Sequence, residues 1–174
     1  TLDRFTLALN TETRPFYELP LLENAAWDAT RMARLQRNAD RDPHDGFAQF
    51  ALAWYARRGG QLAEADKAYR AALAAWPEHD AVLTDLGNVV AMRGRSDEAL
   101  ELFARAAKSN PANAAAHFNA SQLHTRRFEY TVAYSELRQA SAIDFEQVKQ
   151  YQSRAGSAGM LPLMDLWPGP QTFW

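Results

Sequence analysis

The chain has no cysteine. Disulfide staples, thiolate metal sites and cysteine nucleophiles are therefore excluded, and the absence suits a reducing or an oxidising compartment equally. No apolar run reaches the roughly 18 residues that would cross a bilayer, and no basic-then-apolar signal peptide opens the sequence. An excess of charge of one sign is missing too. Nineteen Lys and Arg face 21 Asp and Glu, a net charge of −2, which gives no basic surface for nucleic acid. The glycines form no phosphate-cradling loop, and no nucleophile elbow or metal-ligand cluster is visible. Of the four histidines, His117 and His124 fall on one predicted helix. Seven residues put them about 10 Å apart along its axis, too far to share a metal with bonds near ~2 Å. They are expected as partly buried packing residues with satisfied nitrogens. No enzyme activity, cofactor or metal is expected.

What is present is a 34-residue echo. Pro43, Pro77 and Pro111 recur at that interval, as do Gly60 and Gly94. Ala65, Ala99 and Ala133 repeat it, with Ala72, Ala106 and Ala140, and with Tyr69, Phe103 and Leu137. A small residue, a bulky one and a helix breaker in fixed phase mean one structural unit repeated. Units of about 20–50 residues stack as a solenoid, each burying its apolar face against its neighbours.

Apolar spacing of three and four residues predicts a first helix over 21–39, ended by Asp42-Pro43 because a residue before proline leaves the α region. Three helix pairs follow: 46–58 with 61–75, 80–92 with 96–109, and 114–127 with 130–142. Asp45, Asp80, Ser96 and Asn113 are the expected N-caps. Phe128 sits where the first two pairs have their turn glycine, and Phe145 where they have proline. Asp144 and Gln147 have the spacing of a capping box, predicting a last helix over 145–154. Leu2, Phe5 and Leu9 suggest a helical turn or two in the poorly patterned opening.

This pattern resembles the tetratricopeptide repeat. Ala53, Gly87 and Ser121 match the small residue of that family's first helix, and Ala65, Ala99 and Ala133 that of the second. Tyr69 and Phe103 match the large ring that fills the space between units, and Pro77 and Pro111 close two of them. Small side chains at fixed phase are also what close helix packing needs. The resemblance implies an all-α, right-handed α-solenoid of antiparallel helix pairs. The expected organisation is an N-terminal segment with one packing helix (1–43), three repeats (44–144), and a capping helix with an aromatic, proline-rich tail (145–174).

In that family the first helices line a concave face that holds partners, so the resemblance implies a protein–protein interaction scaffold. The inward positions map to Phe50, Trp54 and Arg57 in the first repeat and Asp85 and Asn88 in the second. Phe118, Asn119, Gln122 and Arg126 follow in the third. Asn88 and Asn119 match positions where peptide-binding members carry asparagine, whose amide can donate to and accept from an extended backbone. The lysines that grip a terminal carboxylate are replaced by Thr84 and Ala115. Arg57, Arg58, Arg93, Arg95, Arg126 and Arg127 end the first helices, where cations suit the dipole and could also form a basic edge.

Phe47, Phe50 and Trp54 form an aromatic stripe at steps of three and four, a ready hot spot for a partner where exposed; Phe50 is expected as core under the 21–39 helix and Trp54 as partly exposed. An alternative uses Phe47, Phe50, Trp54 and the Leu-rich tail as walls for a small apolar or lipid ligand, and a third reading is a spacer with no ligand. Leu161, Leu163, Met164, Leu166, Trp167, Phe173 and Trp174 make that tail too apolar for a disordered tag. It covers the last helix pair, leads to a membrane, or docks into a neighbouring copy to give a homodimer. The chain starts at Thr1 rather than Met and reads as a piece of something longer. Ends and tail together resemble the repeat region of bacterial membrane-attached tetratricopeptide proteins, which implies an extracytoplasmic domain beside a membrane. Cytoplasmic placement stays open.

Overall fold

The computed structural model describes residues 27–155. The expectations for the opening turn, for the first helix before residue 27, and for the tail beyond 155 lie outside those residues. The described chain is helical throughout and divides into two compact units, 27–76 and 77–155.

In the first unit, α1 (Ala29–Arg41) starts at Asp28, whose carboxylate accepts from the backbone N–H groups of Thr30 and Arg31. It packs on α2 (Gly46–Arg58), which pairs with α3 (Leu62–Ala75). Asp45 caps α2 by accepting from Phe47 and Ala48 N–H, as its position predicted. Between α2 and α3 the ring of Phe50 meets Tyr69 edge-on at 5.5 Å, and Phe47 meets Trp76 at 4.8 Å. Ala53, Ala65 and Ala72 are wholly buried. Their lack of bulk lets the two helices approach.

The second unit holds α4 (Asp80–Met92), α5 (Ser96–Ser109), α6 (Ala114–Arg126), α7 (Tyr130–Ile143) and α8 (Phe145–Ala155). Helices α4 and α5 pair, α6 and α7 pair, α5 packs on α6, and α8 lies against α7. At Gly87 α4 runs close against α5: a Cβ built there would stand 2.5 Å from the Phe103 ring. Val148 of α8 buries itself with Ala140, Ala115 and Phe118, so the last helix closes the α6–α7 pair. Asp144 supplies half of the expected capping box, accepting from Gln147 N–H at 2.9 Å.

The same turn joins every pair. Gln61 N–H bonds Ala56 C=O, Arg95 N–H bonds Val90 C=O, and Glu129 N–H bonds His124 C=O. That six-residue closure needs one left-handed residue, supplied by Gly60 (φ 74°), Gly94 (φ 80°) and Phe128 (φ 62°). Two expected caps are displaced by a residue. Asp80 and Ser96 are the first residues inside their helices, and the N-cap positions belong to His79 and Arg95, which make no side-chain cap bond. The Asp80 side chain is engaged elsewhere, as described next.

Candidate functional site

The polar residues of the second unit gather on α4 and α6. Asp80 Oδ2 accepts from the side-chain amides of Asn110 (2.8 Å) and Asn113 (3.1 Å). Asn113 Nδ2 also donates to Thr84 Oγ1, and its Oδ1 caps α6 by accepting from Ala116 N–H. The Thr84 hydroxyl in turn donates to Asp80 C=O. Four side chains thus tie the start of α4 to the entry of α6. Sequence reading placed Asp80 and Asn113 as separate caps and missed the bonds joining them. Their separation of 33 residues, one short of the repeat, is the signal that was available.

Farther along the same pair of helices, Asn119 Nδ2 donates to Asn88 Oδ1 at 2.7 Å, with both residues fully buried. The two asparagines singled out from the sequence are therefore brought together. Asp85 is also fully buried, and Gln122, one repeat after Asn88, is 3% exposed. The Gln122 amide donates to Ser121 Oγ at 3.2 Å, while its Oε1 is buried with no hydrogen-bond donor. A buried acceptor left unmatched costs about 1–3 kcal/mol. Phe118 sits at the bottom of this face, wholly buried in the α6–α7–α8 core. Arg126 is exposed at the end of α6.

In the first unit the predicted aromatic stripe is packed rather than presented. Phe50 is wholly buried against Tyr69, and Trp54, expected to be partly exposed, is only 6% exposed, with the Arg58 guanidinium 4.8 Å above its ring. Arg57 is half-buried. Two of the arginines at the turns are paired in this way: Arg95 with Glu98 at 2.9 Å, and Arg127 with Asp97 of α5 at 2.6 Å and with Glu129 at 3.2 Å. The hydrogen bond to Asp97 and the charge of Glu129 raise the Arg127 pKa further. Both helix-borne histidines are half-buried with Nδ1 against a carboxylate, His117 on Glu136 (2.7 Å) and His124 on Glu129 (2.5 Å). Among the described residues no group of three or more His, Cys, Asp or Glu could hold a metal. No described helix is long and apolar enough to cross a membrane.

The model of the tetratricopeptide repeat matches residues 50–114 and again 84–144. The chain belongs to the tetratricopeptide repeat family. Among solved structures, two crystal structures of MamA are similar to it. One superposes with a TM-score of 0.67 at 15% identity, over 83% of this chain and 86% of that one. The other gives 0.61 at 15% identity, over 79% and 68%. At that identity the likeness concerns the fold, and it agrees with the all-α solenoid class expected from the period. No curated protein matches the sequence. Membership makes this tetratricopeptide repeat protein an interaction scaffold.

Proposed function

We propose that the α4–α6 face of this scaffold holds an extended segment of a protein partner, with Gln122 Oε1 meeting its backbone beside the buried Asn88–Asn119 pair. The observation that carries the reading is the buried, unmatched Oε1 of Gln122 beside two amides already locked together. A peptide N–H is the donor that completes this set, and an asparagine pair bonded to itself is held in position before the peptide arrives. Arg126, exposed one turn beyond Gln122, biases the charge of the segment. Phe118 supports it from below.

The test exploits a trade between stability and binding. Gln122→Met keeps the side-chain length and removes the unmatched acceptor. The free protein is expected to gain roughly 1 kcal/mol in urea unfolding, while the partner captured by the wild-type chain from its source lysate is lost. A variant that loses stability and keeps its partner would mark Gln122 as purely structural. Protein capture unaffected by Gln122→Met, with stability raised, would move the binding face off α4 and α6.

A further inference from the structure

Away from that face, helices α5, α6 and α7 enclose an open groove of about 500 Å³. One wall is Leu100, Ala104 and Ala107 of α5, and the floor includes Ala116 and Ala120 of α6. The opposite wall is Glu136 and Gln139 of α7. The spacing on α5 is four then three residues. On α7 the same side of the helix runs Val132, Glu136, Gln139 and Ile143, at steps of four, three and four. Both Val132 (45%) and Ile143 (37%) are exposed apolar residues on that edge. Steps of three and four on two neighbouring helices are the seams a further helix packs into. The α7 seam spans twelve residues, about 16 Å or three turns.

The charge of the groove is one-sided. Its lining contains Glu101 and Glu136 but no Lys or Arg. The floor residues His117 and His124 stand one repeat after Leu83 and Val90, which are wholly buried. Glu136 stands one repeat after the buried Leu102. Two apolar positions of the preceding repeat, Leu83 and Leu102, are thus replaced here by the His117–Glu136 pair. Alanines keep the groove shallow and apolar at its centre, and the acids lie at its edge.

We propose that this groove is a second interaction surface, which takes an amphipathic helix of about three turns with leucine-like residues along one stripe and Lys or Arg flanking them. Small alanines admit the apolar stripe, and Glu101 and Glu136 meet the cations. The proposal is independent of the α4–α6 peptide face.

The probe is a fluorescent synthetic helix of about 15 residues, leucine at every third or fourth position and lysine alongside, followed by anisotropy on the intact chain. Two companions carry glutamate for lysine, or serine for leucine. The Leu/Lys helix is expected to bind with a Kd of tens of micromolar, about tenfold tighter than either companion. Gln139→Lys should weaken it about fivefold and the isosteric Gln139→Glu should tighten it about twofold, with both effects shrinking in high salt. Gln139 is exposed, so neither change disturbs packing, and circular dichroism checks that both variants fold. Gln122→Met leaves this binding unchanged, which separates it from the peptide face. Equal binding of all three peptides, no binding below millimolar concentration, or the same response to Gln139→Lys and Gln139→Glu would overturn the proposal.

Discussion

Replacing Gly87 by alanine sets two physical effects of opposite sign against each other. Gly87 lies in the middle of α4, where alanine is the better helix former by about 1 kcal/mol. By propensity alone Gly87→Ala stabilises the chain. The packing says otherwise. The new methyl would meet Phe103 Cε1 at 2.5 Å and Cδ1 at 2.9 Å, and Phe103 is a 1%-exposed ring with little room to move. Relief requires the ring or the helix to shift, at a cost of roughly 1–3 kcal/mol. The net expectation is a destabilisation of about 1 kcal/mol, read as a lower urea midpoint at unchanged slope. The third repeat shows how the clash is avoided, since Ser121 there is matched by Leu137 rather than a ring. Phe103→Leu alone should cost about 1 kcal/mol, and the double variant should recover about 1 kcal/mol relative to the sum of the two. A Gly87→Ala chain as stable as the wild type, or additive single effects, would refute the claim that the α4–α5 approach at Gly87 is limited by Phe103.

Three further outcomes follow from named contacts. Asn88→Ala and Asn119→Ala each orphan a buried amide and should cost about 1–3 kcal/mol, whereas the double variant should cost clearly less than their sum; additivity in the cycle would mean the 2.7 Å bond carries no coupling. Phe128→Gly releases a non-glycine residue from φ 62° while removing a side chain that is 77% exposed. Urea unfolding should show a gain of about 0.5–1 kcal/mol, and a loss would mean the ring's edge contact with Tyr130 outweighs the backbone cost. The Arg105 guanidinium bonded to Glu78 holds that carboxyl below its ordinary pKa. Since the folded value is the lower one, this pair's stabilisation is complete above the ordinary carboxylate pKa and fades as pH falls through the lowered value. The pair is solvent-exposed, so the effect is small and salt-screened, and a carbon-detected titration of Glu78 should show its midpoint rising in Arg105→Gln.

The fold was legible because each repeat writes the same packing rule. Alanine or glycine at the helix crossings and a left-handed residue at each turn placed the seven helices from 46 onward to within a residue at either end. The caps were less legible. A side-chain oxygen near a helix start can cap the backbone or reach across to another helix, and Asp80 does the latter because Asn110 and Asn113 come within reach. The candidate face was legible as a set of positions but not as a set of contacts. Register arithmetic pairs Asn88 with Gln122, whereas the hydrogen bond runs diagonally from Asn119 to Asn88. Exposure was the least legible property. Trp54 reads as a ready hot spot from its spacing, yet packing leaves it nearly closed to solvent. The α5–α7 groove was invisible, since it depends on what alanines leave empty rather than on what any residue supplies.

The single residue between α7 and α8 has a consequence for engineering. Asp144 brings the chain straight into α8, where Val148, one repeat after Ala114 in sequence, packs on Ala115, Phe118 and Ala140. The closing helix is thus already half of a fourth module. A designed second helix grafted after Ala155, carrying alanine at the crossing and a ring four residues later, would find its docking partner in place. The array could be lengthened without touching a residue before that graft.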